Sequence, residues 1–241
     1  MIHLFTDFGL EGPYLGEMEA VLRRIVPEVP VVRLMNDVPP FSPRPAAYLL
    51  AALAERFAPG DVALCVVDPG VGTERRALVV DCAGRWFVGP DNGLFEIVLR
   101  RDAAARCWEI VWRPERLSAS FHGRDLFAPV AARLAQGDVA GLRSFSPMRR
   151  TEWPDDLPEV IYLDRYGNAW TGMRAQMVGG DGVLVVAGRR LGRRTTFGEA
   201  APGEAFWYVN SAGLVEIAVR EGSAADRLGL AIGAPVEMVA P

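Results

Sequence analysis

Acidic side chains at the ends of apolar runs are the first chemistry the sequence offers. Asp7 follows Ile2-His3-Leu4-Phe5-Thr6, Asp68 follows residues 62–67, and a glycine comes soon after each, Gly9 and Gly70. Asp91-Asn92 lies in the tight loop Gly89-Pro90-Asp91-Asn92-Gly93. Arg75 and Arg76 lie just beyond Asp68, and His122 sits in Ser120-Phe121-His122-Gly123-Arg124-Asp125. An acid at the end of a buried strand, beside a glycine-rich loop, is where α/β proteins place ligands and catalysis. Each residue also has a plain structural reading. Asp68 can cap a turn, the arginines can be a surface pair, and His122 can be a helix-entry residue. A loop histidine can equally be a general base near neutral pH. The other histidine, His3, lies inside the first apolar run and reads as a core or edge residue.

Several common chemistries are missing from the pattern. H-E-x-x-H and Cys/His clusters, the usual metal signatures, do not occur. No G-x-G-x-x-G follows a strand, and G-x-S-x-G is absent. All 26 basic residues are arginine, which excludes a Schiff-base lysine or a P-loop lysine. Cys65, Cys82 and Cys107 form no C-x-x-C and read as reduced core residues of a cytoplasmic protein. A net charge of −4 carries no nucleic-acid footprint. The chain opens on a strand-like run, with neither a signal peptide nor an apolar stretch long enough for a membrane.

The elements that must position these residues follow from periodicity. Residues 2–5 read as a strand. Tyr14, Met18, Val21, Leu22 and Ile25 fall on one helical face, ended by Pro27 and Pro30. Residues 29–34 and 62–67 read as strands, with an Ala/Leu-rich helix over 45–57 between them. The proline-rich stretch 37–43 is a stiff loop. Residues 77–81 and 85–88 form a hairpin around Ala83-Gly84. A short helix over 94–99, a strand over 107–112 and a helix over 126–134 complete an alternation of strand and helix. That alternation predicts an α/β domain over 1–145 with a largely parallel sheet. A Pro- and charge-rich linker spans 146–158. Over 159–241 the strands are short and punctuated by glycine: 160–163, 169–173, 182–187, 205–209, 214–219 and 235–239. Only 224–228 reads as helix, so this part is a smaller all-β barrel or sandwich. Its polar turns, Asp164 to Asn168 and Asn210 to Gly213, are further candidates for binding. Phe41, Trp170 and Trp207 offer flat faces to a heteroaromatic ring, or serve as core.

In combination these stretches resemble the S-adenosylmethionine hydrolases, or SAM hydroxide adenosyltransferases, relatives of the fluorinases and chlorinases. The matching motifs are TDFG at 6–9, DVPPF at 37–41, VVDPGVGTERR at 66–76, GPDNG at 89–93 and FHGRDLFAPVAA at 121–132. DRYGNAWT at 164–171 and NSAGLVEIAV at 210–219 continue them, in order along nearly the whole chain. The resemblance implies an N-terminal α/β domain, a C-terminal β-barrel and a homotrimer with active sites shared between subunits. It implies an Asp-Arg-His set at Asp68, Arg75 and His122. It further implies Asp7 on the ribose, Phe41 and Trp170 flanking the nucleoside, Asp164 and Ser211 at the methionine end, and Asn168 by the adenine. Two positions depart from the pattern. Gly12 stands where many relatives carry an acid, and Ala212 where the halogenating relatives carry an arginine.

The reaction so implied is hydrolysis of S-adenosyl-L-methionine to adenosine and L-methionine, with the substrate serving as its own activated donor and no separate cofactor. Water or hydroxide attacks C5′ in line and the sulfonium leaves. On the residues, Asp68 orients the water, Arg75 favours hydroxide, and His122 is the better proton acceptor because its ordinary pKa is nearest neutrality. Two rival readings remain at this level. Halide transfer to the same carbon is opposed by a carboxylate beside the nucleophile. A non-catalytic adenosine- or SAM-binding module is separated from an enzyme by turnover.

Overall fold

The computed structural model describes residues 1–147, 149–179 and 182–240. Met148, within the stretch read above as a linker, lies outside the described residues. The chain divides into two compact units, Met1–Arg150 and Thr151–Pro241.

The first unit contains β1 (Ile2–Thr6), α1 (Tyr14–Ile25), β2 (Val31–Met35), α2 (Pro43–Ala54), β3 (Val62–Val66), β4 (Ala77–Cys82) and β5 (Arg85–Pro90). It continues with α3 (Glu96–Arg100), β6 (Arg106–Ile110), α4 (Ala128–Ala135) and β7 (Leu142–Ser144). The seven strands order as β2-β1-β3-β5-β4-β6-β7. The run β2-β1-β3-β5 is parallel. Beyond it the hairpin partner β4, then β6 and β7, extend the sheet antiparallel. Every residue of β1 and β3 is buried, as strands with a layer on each face require. Alternation sorts their side chains. Ile2, Leu4, Val62, Leu64 and Val66 pack on Met18 and Leu22 of α1 and Val130 and Ala131 of α4. On the other face His3 stacks on Phe57 at 4.2 Å, and Phe57 leans on Phe87.

Local details depart from periodicity. The buried face of α1 is Leu15, Met18 and Leu22, whereas Tyr14 is 49% exposed. Helix α2 starts two residues early, on Pro43, because proline suits the first turn, where its missing N–H has no intrahelical partner. The stretch after His122 is already helical, as a π turn over Gly123–Phe127 that runs into α4. The short edge strand β7 carries too few residues to show a period.

The second unit contains β8 (Leu157–Leu163), β9 (Ala169–Arg174), β10 (Val183–Val186), β11 (Arg189–Leu191), β12 (Ala205–Val209), β13 (Leu214–Val219), α5 (Ala224–Leu228) and β14 (Val236–Val239). They form a four-stranded sheet, β12-β13-β9-β8, and a three-stranded sheet, β11-β10-β14. Single bridges join the sheet edges at both seams, Glu159 to Pro235 and Arg193 to Trp207, and close the barrel. Trp207 is fully buried inside it, so its indole is core rather than a ligand platform.

Strands β3 and β5 meet at close range beneath the site. A Cβ added to Gly89 would lie 2.3 Å from the Cys65 carbonyl oxygen. Gly89→Ala must therefore push the two strands apart, and overpacking of this kind costs about 1–3 kcal/mol. The expected outcome is a lower melting temperature by calorimetry, with Gly16→Ala, where an added Cβ meets nothing and φ is not positive, serving as the control.

Candidate active site

Parallel strands deliver their C-terminal ends to one edge of the sheet, and the loops leaving that edge form a cleft. The cleft measures about 360 Å³ and is lined by Asp7 after β1, Asp68 after β3, Phe41 before α2, and Ser120, Phe121 and His122 before the π turn. Asp68, Arg75 and His122, far apart in the chain, are in direct contact. Arg75 grips Asp68 with two parallel donors, Nε to Oδ1 at 2.8 Å and Nη2 to Oδ2. The same Nη2 reaches His122 Nδ1 at 2.9 Å. Asp68 and Arg75 side chains are 5% and 9% exposed, and the Arg75 guanidinium lies over the Phe127 ring. Asp68 and His122 face the cleft, while Arg75 does not line it and sits behind them.

This geometry fixes the histidine's state. A guanidinium can only donate, so Nδ1 of His122 accepts, and the neutral ring carries its proton on Nε2. Burial lowers the His122 pKa, and the neighbouring Arg75 charge lowers it further, against the raising pull of Asp68. His122 thus presents an N–H to the cleft. In this contact Nδ1 of His122 is already occupied as an acceptor from Arg75, and Arg75 is not among the residues that line the cleft.

Three local constructions hold the set. Gly72 passes so close to the Ala119 carbonyl that a Cβ there would stand 2.7 Å from the oxygen. Asn92 donates through Nδ2 to the Val67 carbonyl at 2.8 Å, fixing the strand end just before Asp68. Arg124 ties Asp125 to Glu17 of α1, and Asp125 takes the Ser118 amide, which frames the His122 segment. Asp91, the third strand-end acid, is not among the cleft residues.

Across the cleft Asp7 accepts the Phe41 amide at 3.0 Å. Burial raises the Asp7 carboxyl above its ordinary value, and the Phe41 amide pulls it back down. Phe41 adopts a left-handed φ of 59° and is 77% exposed at the rim. Periodicity assigned Tyr14 to a core face and gave no sign of Phe8. Both line the cleft, and with Phe121 they form an aromatic wall with ring centroids 5.2–5.9 Å apart. The tilt of α1, which only packing sets, turns Tyr14 outward.

The second unit carries its own cavity, about 650 Å³, lined by Asp164, Asn168 and Tyr208 among others. Asp164 accepts the amides of Tyr166 and Asn168 and the Asn168 side-chain amide at 3.0 Å, so the two predicted residues act as one turn. Trp170 and Ser211 are not among the cavity's lining residues. Trp170 packs edge-on against Tyr162 on β8, and Ser211 is exposed in the turn before β13. Among the described residues, no group of three His, Cys, Asp or Glu side chains could hold a metal ion.

Comparison with known proteins matches both units. Residues 2–142 match the SAM hydroxide adenosyltransferase N-terminal domain, and residues 158–237 its C-terminal domain. The chain is 42% identical to the (R)-S-adenosyl-L-methionine hydrolase of Thermus thermophilus, covering 99% of each sequence. It is 37% identical to the enzyme of that name from Salinispora arenicola, over 99% of this chain and 97% of the relative. A crystal structure of an uncharacterized conserved protein from Thermotoga maritima superposes with a TM-score of 0.89 at 31% identity, over the full length of both chains.

The His122 tautomer is open to direct measurement. Heteronuclear NMR should show Nε2 protonated and Nδ1 bare, with a titration midpoint below the ordinary value of about 6.5. Because the folded pKa is the lower one, the unfolded chain binds the proton first. This residue's contribution to stability is therefore full above that window and falls as pH drops through it. Protonation at Nδ1 in the neutral ring would remove Arg75 as the donor.

Proposed function

The chain belongs to the SAM hydroxide adenosyltransferase family, and on that premise we propose how its cleft hydrolyses S-adenosyl-L-methionine to adenosine and L-methionine. The chain is an S-adenosyl-L-methionine hydrolase. The observation that carries the mechanism is the part-buried Asp68–Arg75–His122 contact, of which Asp68 and His122 line the cleft. A water in the cleft donates one hydrogen bond to the Asp68 carboxylate and accepts one from His122 Nε2–H. Its remaining lone pair points at C5′. As the O–C5′ bond forms, the C5′–S bond breaks with its electrons on sulfur, and methionine leaves as a neutral thioether. The water's proton passes to Asp68 and on to solvent. Sulfonium needs no acid to leave, so the protein's contribution is orientation and electrostatics. Arg75 anchors the Asp68 carboxylate with two donors and, by donating to Nδ1, holds His122 in the tautomer whose Nε2 donates.

We assign Asp7 to the ribose hydroxyls, supported by its place across the cleft, and Phe41 to the nucleoside's flank. Trp170 is assigned to the nucleoside's other flank, Asp164 and Ser211 to the methionine end, and Asn168 to the adenine. We further propose a homotrimer whose sites are shared between subunits. The apolar rim formed by Phe41 and Tyr14 supports it, since exposed aromatic patches beside a cleft invite a covering surface. S-adenosyl-L-methionine is the substrate, and no separate cofactor is proposed. A cytoplasmic location is supported by three free, buried cysteines. No described helix is long and apolar enough to cross a membrane.

Three outcomes are expected. Purified protein with S-adenosyl-L-methionine should release adenosine and methionine, seen by mass, equally after dialysis against a chelator and with halide present. Asp68→Asn should lower single-turnover rate about 10²-fold, the usual scale for one oriented interaction, while calorimetric adenosine binding changes far less. Rate and binding collapsing together would make Asp68 structural. In the third experiment, dilution to monomer, followed by light scattering, should abolish turnover; a fully active monomer would refute shared sites.

A further inference from the structure

The barrel's four-stranded sheet carries a row of side chains set by register. Tyr208 pairs with Glu216 and Glu216 with Trp170 across neighbouring strands. Alternation turns Val215 and Ile217 into the barrel core and Glu216 to the opposite face. Even so, Glu216 is 2% exposed. A carboxyl buried this deeply needs a partner, and the Tyr208 hydroxyl donates to its Oε1. Burial and the carboxylate together raise the Tyr208 pKa, so the phenol keeps its proton. Tyr208 also lines the cavity that holds Asp164 and Asn168. A phenol has one proton and two lone pairs. With the proton directed at Glu216, Tyr208 can offer the cavity only an acceptor. Asp164 and Glu221 add carboxylates to the same lining, Glu221 being paired with Arg220 at 3.4 Å, and no basic side chain is itself among the described lining residues.

We propose that Glu216 sets the hydrogen-bond polarity of this cavity, holding Tyr208 as an acceptor so that the cavity selects the part of the ligand bearing an amino group. The inference rests on the hydrolase reading, in which the substrate has two such groups, the exocyclic amine of adenine and the α-ammonium of methionine. Glu216 touches no reacting atom and acts through Tyr208 as a specificity-determining residue. A site built to pair with a ligand N–H discriminates strongly against the analogue lacking it, because its acceptor is then left unmatched.

The experiment compares paired ligands by calorimetry on the full-length protein: adenosine with inosine, and methionine with 4-methylthiobutanoic acid. In one pair the amino ligand should bind at least about tenfold more tightly than its partner, and that pair identifies the group recognised. Tyr208→Phe should abolish the preference by weakening the amino ligand alone. Glu216→Leu frees the phenol to donate, so the preference should shrink, with inosine gaining if the base is the group recognised. Glu216→Gln retains a carbonyl acceptor for the phenol and should retain the preference. Equal affinities within both wild-type pairs, no binding of either amino ligand, or a Glu216→Leu loss equal for both pair members at unchanged melting temperature would each overturn the proposal. If Glu216→Leu does not fold, the wild-type pairs and Tyr208→Phe decide it. Turnover of S-adenosyl-L-methionine without any amino preference defeats this proposal alone; a preference without turnover defeats the hydrolase reading alone.

Discussion

One guanidinium holds the site together. Arg75 is almost wholly buried, and its Nη2 serves a carboxylate and an imidazole at once. Burying charge is expensive unless the partners are close and well oriented, and the two-donor grip on Asp68 meets that condition. Asp68 takes two donors from the guanidinium, and burial first, then the Arg75 charge, favours the neutral form of His122. An arginine suits this task because it does not lose its proton in proteins and presents a fixed fork. In a chain without lysine, the point-charge alternative is absent altogether.

The scaffold around that contact is rigid for reasons of close approach. Gly89 lets β5 lie against β3, and Gly72 lets the loop after Asp68 lie against Ala119. Neither position tolerates a Cβ without displacing backbone. Asn92 then ties the end of β3 from the side. The triad is thus positioned by backbone contacts on elements distant in sequence, which keeps Asp68 and His122 at fixed separation while the rim residues Phe41 and Tyr14 stay exposed.

The barrel shows a different economy of polar groups. Its interior is apolar around Trp207, Val215 and Ile217, while its buried carboxyl, Glu216, lies on the opposite face of the strand and is satisfied by Tyr208. Asp164 closes the turn over Asn168 with three accepted hydrogen bonds. Polar groups around this cavity are therefore largely satisfied by one another, which orients the atoms they leave to face it.

The alternating strands and helices, the change to short strands past the linker, and the ordered motifs that identify the family are all legible in the amino-acid order. These are local properties: period, proline and glycine placement, and acids at strand ends. Tertiary structure decided what depends on distance between remote residues. His122 is remote in the chain from Asp68 and Arg75, and only the fold brings Arg75 Nη2 within 2.9 Å of His122 Nδ1, which leaves the neutral ring's proton on Nε2. Tyr14 fits a helical period but points into the cleft because packing on Leu15, Met18 and Leu22 sets the roll of α1. Trp207 looked the same as Trp170 in sequence, and burial within the closed barrel separates them. Glu216 sits in an apolar run that predicts a strand and says nothing of a partner. Its hydroxyl donor is on the neighbouring strand, and register, which no single strand encodes, brings the two together.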